Sequence, residues 1–356
     1  MDNATAANNV STGMPEWNTK VAISLVLCIT GLGFNGILVL TFLVNRHLWR
    51  PFNIYLFNLL FSNLLFFITE SGFDIVQNLN GMWLLNSACC TVYLFGWWVV
   101  TLVQLTTHPL IATNRIWALW APISYRRHHG YQTAIGLCVA TWICGHIIGL
   151  WGLLSDHLYY RNLEDTHVCQ IADTEASQRV WMLVVQFISI AAVVTIVVAF
   201  PLIVYKDQKR KKIREGITVV TTGNDGNATG ITQQKQQGET GTAGSVAPSA
   251  PEIMQHHSNM PPTRSTTLTR NPKERSNAHT LLLFVLTVSV FIFWSPSVFY
   301  YAVVPFTGYS NPTVDNVVMI MFSVQSVLDP ILFTFNLRNL RNTVVSTIYF
   351  WKRCLR

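Results

Sequence analysis

Charge is scarce in this 356-residue chain: Asp, Glu, Lys and Arg make up 12% of it, against 50% hydrophobic residues. Within seven long apolar runs, at 21–44, 52–76, 90–119, 132–154, 180–205, 278–304 and 315–335, only Glu70, Asp74, Arg115, Asp315 and Asp329 carry charge. That shortage excludes a water-soluble chain. At about 1.5 Å rise per residue, each run is long enough to cross a hydrocarbon core of about 30 Å. Lipid offers the backbone no hydrogen bonds, so each run must satisfy its own as a helix. The fold class is an all-α membrane protein, a bundle of seven transmembrane helices.

Other absences narrow the class. The positive-inside rule places Arg46, Arg50, Arg126, Arg127, the Lys209 to Lys212 run, Arg338, Arg341, Lys352 and Arg353 in the cytoplasm, leaving only Lys20, Arg161 and Arg179 outside. The N-terminus is then extracellular and the C-terminus cytoplasmic, as in a multi-pass plasma-membrane protein. No basic and apolar signal peptide precedes the first run, which is expected to act as its own insertion signal. The net charge of +7 requires no nucleic acid, because a basic rim facing anionic membrane lipids accounts for it. No doubled half-bundle with interrupted helices points to an inverted-repeat transporter. His108 and His146 stand alone in their runs and read as satisfied core residues; His128 and His129 read as part of a basic loop, not a site.

What is present divides the chain into an outer tail (1–20), five spans (21–205), a third cytoplasmic loop (206–277), two spans (278–337) and an amphipathic helix with a tail (338–356). Sequons at Asn3 and Asn9 make the outer tail a glycosylation acceptor, while a third at Asn227 falls on the cytoplasmic side. Residues 206–277, rich in Gly, Thr, Gln, Ser and Pro, are expected to be disordered, with Ser265 to Thr269 offered to a kinase. Cys354 follows a basic segment and offers a palmitoylation site. Among the seven cysteines, Cys89, Cys90 and Cys169 fall on the oxidising side, where a bridge would tether a loop over the bundle mouth.

A set of ordered motifs adds a resemblance. Gly33-Phe34-Asn35-Gly36 stands in the first run, Asn58-Leu59-Leu60-Phe61-Ser62-Asn63 in the second, and Trp83 seven residues before Cys90. Thr113-Asn114-Arg115 ends the third run, Trp142 lies in the fourth, Trp294-Ser295-Pro296 in the sixth, and Asp329-Pro330-Ile331-Leu332-Phe333 in the seventh. In order and spacing the chain resembles the rhodopsin-like G-protein-coupled receptors over all seven spans. The resemblance implies a short amphipathic eighth helix from Arg338, a bridge from Cys169 to Cys90 with Cys89 as the other candidate, and a heterotrimeric G protein as partner. It also implies a kinase and arrestin acting at the third cytoplasmic loop.

Roles follow residue by residue. Pro296 and Pro330 each remove a backbone hydrogen bond and supply pivots, and Trp294 would face the ligand cavity and bias the sixth helix outward. The resemblance assigns G-protein coupling to Arg115, with Asn114 beside it and Tyr205 as a fifth-span companion. Asn114 replaces the acid that pairs with this Arg in most relatives, and Ser276 offers no carboxylate, so raised basal signalling is expected. Asn63 and Asp329 exchange the family's Asp and Asn, in a buried polar hub expected to include Asn35, Gln104 and Ser326. An ionised Asp329 there needs a cation, so the hub holds either a sodium ion or a proton, and the proton is favoured. Phe333 lacks the usual Tyr hydroxyl, and Pro109 should kink the third helix.

Two subfamilies are excluded by position. Ser323 stands where light receptors hold their retinal Lys, so no retinal is expected; Trp97 stands where biogenic-amine receptors carry an Asp. The expected cavity is aromatic, lined by Trp97, Trp98, Gln186, Trp294, Tyr301, Phe322 and Ser323. Glu70 and Asp74, four apart on one helical face, and Asp315 would meet a basic peptide or a cationic small molecule, or pair with Lys20 or Arg179. The competing readings are a seven-helix transporter or channel, and a receptor-like protein that does not signal.

Overall fold

The computed structural model describes residues 15–161, 163, 167–171, 176–222, 272–307 and 311–354. Among these residues there are helices and no strands. Seven helices are long and apolar enough to cross a membrane. The first four are Thr19–Val44, Pro51–Asn80, Ser87–Trp120 and Tyr131–Tyr160. The fifth span lies in the helix Ala176–Thr222, the sixth in Pro272–Thr307, and the seventh is Pro312–Asn336.

Local chemistry sets the ends. The Asn18, Asn86 and Asn311 side chains each accept a backbone N–H of the first turn that follows, satisfying donors that have no partner within the helix. Pro51 and Pro312 start their spans, where a missing N–H costs nothing. The second span ends at Gly81, whose φ of 67° lies in the left-handed region that favours glycine. Pro109, Pro201 and Pro330 lie inside continuous helices, so Pro109 does not break the third span.

The sixth span packs on the seventh and the fifth, and the third on the second, fourth and fifth. The fourth span approaches the third through Gly145 and Gly149, where an added Cβ would lie 2.8 Å from Val103 and 2.5 Å from Val99. Trp142 donates from Nε1 to Asn58 Oδ1 (2.8 Å), and Asn58 donates to Thr107 Oγ1 (2.9 Å), joining the second, third and fourth spans. Phe187, Trp151 and Ile147 turn outward in the belt that faces lipid.

The segment between the fifth and sixth spans, expected at 206–277, has different boundaries. The fifth helix runs 17 residues past Tyr205 to Thr222, and the sixth begins at Pro272, not at 278. The remainder of that segment, with its expected kinase sites, lies outside the described residues, as do Asn3, Asn9 and the side chains of Ser276 and Cys354. The eighth helix is Arg338–Cys354. Leu340 and Val344 are buried against the bundle, while Asn45 donates to Thr347 Oγ1 at 3.0 Å.

Candidate functional site

Three polar layers line the bundle axis. The outermost is a cavity of about 460 Å³ between the second, third, fifth, sixth and seventh spans. A disulfide joins Cys90 to Cys169 and leaves Cys89 free. It draws Cys169, Gln170 and Ile171 into the cavity wall, where the Cys169 N–H donates to Gln77 Oε1 at 2.9 Å.

Of the residues expected to line this cavity, Asp74, Trp97, Trp98, Gln186, Trp294, Tyr301 and Phe322 do so, joined by Gln77, Tyr93, Thr101, Met182 and Asp315. Glu70 and Ser323 do not. They face a smaller recess with Ser24, Leu27 and Ile320 toward the first span, and Glu70 there accepts from Ser71 Oγ at 2.9 Å. A π-helical turn at Phe67–Ser71 re-registers the second helix just there; Asp74 lines both the cavity and the recess, so the two acids still share a face while Glu70 stays out of the cavity. A second such turn, Gly96–Val100, sets the paired Trp97 and Trp98. Asp74 lies 4.0 Å from Lys20, and Tyr301 donates to Asp315 at 2.5 Å, so both acids have partners.

Trp294 forms the cavity floor and is buried. Its ring stacks on Phe322 at 5.4 Å and meets His108 edge-on at 4.5 Å. Below it lies the second layer. Asp329 accepts from Asn63 Nδ2 (3.1 Å) and Gln325 Nε2 (2.7 Å), and His108 Nε2 stands 3.3 Å from its Oδ2. Asn35 and Asn63 also donate to the Ser326 carbonyl at 3.1 and 3.3 Å. Ser326 therefore serves the hub through its backbone. Gln104 accepts His108 Nδ1 on its backbone carbonyl at 2.9 Å, while its side-chain amide has no protein partner.

His108 is thus no lone core residue. It is the hub member that the sequence reading left out, although its place four residues after Gln104 puts both on one helical face. The arrangement does not suit a sodium ion at Asp329. A hard cation takes oxygen ligands, whereas nitrogens face both carboxylate oxygens here. Among the described residues no group of three His, Cys, Asp or Glu is placed to hold a metal.

The innermost layer centres on Asn114. Its amide donates to His129 Nε2 (2.8 Å) and its Oδ1 accepts from Tyr125 (3.3 Å), while Tyr55 stands 3.0 Å from the same imidazole nitrogen. Tyr125 and His129 belong to the loop between the third and fourth spans, and their rings stack at 4.3 Å. Burial pushes the Tyr125 hydroxyl up, and burial followed by the Arg115 charge holds His129 below its ordinary value. His129 is therefore a hydrogen-bond partner of Asn114 and more than part of a basic loop. The Arg115 guanidinium lies 3.2 Å over the Phe52 ring, in a cavity of about 420 Å³ at the opposite end of the bundle, shared with Asn53, Asn336 and Arg338.

Tyr205 does not join this layer: its side chain is exposed on the outer face, and its neighbours Ile203 and Asp207 are the buried ones. Arg210, one turn further, makes the contact instead, donating to the Leu119 carbonyl at 2.6 Å. Phe333 is fully buried in the apolar cluster of Phe42, Tyr55 and Leu340. Pro296 and Pro330 sit in the sixth and seventh helices beside Trp294 and Asp329.

Seven spanning helices enclose a cavity resting on a Trp beside a Pro at one end and hold an Arg at a second cavity at the other. The chain matches the 7 transmembrane receptor (rhodopsin family) profile over residues 34–333, and it belongs to that family. It is a multi-pass G-protein-coupled receptor of the rhodopsin class, not an enzyme. Tyramine receptor 1 of Locusta migratoria is 22% identical over 169 residues, covering 47% of this chain and 35% of that receptor. Rhodopsin of Todarodes pacificus is 26% identical over 142 residues, covering 37% of this chain and 31% of that protein. The match thus spans about a third of the length of these relatives.

Proposed function

We propose that this receptor sits in the plasma membrane with its N-terminus outside, takes an extracellular ligand in the aromatic cavity, and activates a heterotrimeric G protein through outward movement of the sixth helix. The observation that carries this reading is the floor of the cavity. Trp294 closes it two residues before Pro296, so an occupant presses on the helix beside its weakest backbone point.

The cavity volume of about 460 Å³ lies within the range of about 300–1,000 Å³ that holds a small molecule or the end of a peptide. Its chemistry favours an apolar or aromatic body with a cationic group, which would compete with Lys20 for Asp74. Similarity to a tyramine receptor does not make the ligand an amine held in the usual way, because Trp97 replaces the ammonium counter-ion. Ser323 likewise leaves no Lys for retinal. We extend the proposal to glycosylation at Asn3 and Asn9, palmitate at Cys354, and a kinase with arrestin at the third cytoplasmic loop.

Screening peptide and small-molecule libraries on cells expressing the chain with promiscuous G proteins tests the reading. A hit is expected to lose potency at least tenfold in Trp97→Ala and Asp74→Asn, about 1.4 kcal/mol of binding. Hits indifferent to both changes would move the ligand elsewhere.

A further inference from the structure

We propose that His108 and Asp329 share one proton as a buried pair, which takes the place of a bound cation and ties the third span to the seventh directly beneath Trp294. The chemistry of the pair stands on its geometry; only its consequence for signalling rests on the receptor reading above.

The tautomer is fixed from one side. His108 Nδ1 lies 2.9 Å from the Gln104 carbonyl, an acceptor, so this nitrogen carries a hydrogen. Nε2 then faces both Asp329 oxygens, at 3.3 and 3.4 Å. A bare nitrogen and an ionised carboxylate would repel each other there. One proton between them makes the contact attractive, whether it resides on the imidazole or on the carboxyl. Both side chains are fully buried, and with that proton the pair carries no net charge at a depth where an unpaired charge is costly.

The groups facing the pair do not titrate: Asn63 from the second span, Gln104 from the third and Gln325 from the seventh. From the sixth span comes Trp294, whose ring lies 4.5 Å from that of His108 and is stacked on Phe322 of the cavity wall. An occupant that shifts Trp294 therefore shifts the imidazole, and a small displacement opens a hydrogen bond already at 3.3 Å. The pair is the link between ligand position and helix packing.

The carbonyl oxygens of Asn35, Asn63, Gln104 and Gln325 are buried without protein partners. Removal of the imidazole would leave a space beside the Asp329 carboxylate in which the Asn63 and Gln325 amides, whose nitrogens now face it, can turn these oxygens toward a sodium ion. This gives the pair a signature that mere packing would not produce.

The experiment measures thermal unfolding of the purified full-length receptor in sodium chloride and in choline chloride at equal ionic strength. Wild type is expected to melt at the same temperature in both salts. His108→Leu should melt lower in choline and recover a few degrees in sodium, through preferential binding to the folded state. Asp329→Asn should melt lower in both, and the double variant no lower than the worse single one. Sodium stabilisation of wild type would overturn the proposal, and needs no variant to fold. Additive losses in the double variant, or a His108→Leu protein indifferent to sodium, would also overturn it. Basal nucleotide exchange on the same preparations separates the readings. If the melting behaviour holds but exchange never occurs, the pair stands and the signalling role falls.

Discussion

Asn114 is bound by hydrogen bonds to the loop that follows the third span, where most relatives place an acid beside Arg115. Its amide reaches His129 and its carbonyl receives Tyr125, so the segment next to Arg115 is anchored by neutral groups. Substituting Asn114→Asp places a carboxylate beside Arg115. Ligand-free signalling is expected to fall several-fold in that variant, read as basal nucleotide exchange, and an unchanged rate contradicts the view that the missing acid raises basal activity.

His129 adds a pH dependence with a definite sign. Its Nε2 accepts from the Asn114 amide and cannot do so when protonated, and its folded-state value lies below the ordinary one. A depressed value means that the unfolded chain binds more protons. The stability it contributes is therefore fully present above about pH 6.5 and is lost as the pH falls through the lower folded value. Melting of wild type between about pH 7.5 and about pH 5.5 should decline more than that of His129→Gln. Parallel curves would remove His129 from the account.

At the scale of elements, the apolar runs foretold the seven spans because burial in lipid imposes length and composition together. The fifth helix outran its apolar stretch. Past Tyr205 its polar residues are good helix formers, and Lys206 and Arg210 dock on Trp120 and Leu119 of the third span, so hydropathy alone misses the end. The π-helical turns were equally hidden, since no composition marks them, and one of them moved Glu70 out of the cavity. His108 escaped for another reason: a buried His is recognised as a partner only when the facing carboxylate, 221 residues away, is known to meet it.

The contact between the third and fourth spans yields a test at this scale. A Cβ on residue 149 would come within 3.3 Å of the Val99 Cα, whereas one on residue 136 meets nothing within 4 Å. Gly149→Leu is expected to destabilise by about 1–3 kcal/mol through overpacking, while Gly136→Leu leaves the melting temperature unchanged. Equal behaviour of the two variants would show that the spans do not pack as described.

At the scale of the whole molecule, one line of contact descends from the outer cavity to the middle of the bundle. It runs from the outer cavity through Phe322 and Trp294 to His108 and Asp329. Further in, Tyr55 and Asn114 meet on the second and third spans beside Arg115, as a separate layer. Motifs made Trp294 and Arg115 legible in the sequence, and the hub at His108 emerged only when the third and seventh spans were brought together. The central claim is that the bundle catalyses nucleotide exchange and that Arg115 couples it to its partner. The most direct measurement is basal GTP-analogue binding to purified heterotrimeric G proteins in vesicles containing wild type or Arg115→Ala. Exchange above that of receptor-free vesicles in wild type, abolished in Arg115→Ala at equal folded content, is the predicted result. Equal exchange by wild type, the variant and empty vesicles across all G-protein classes would contradict it.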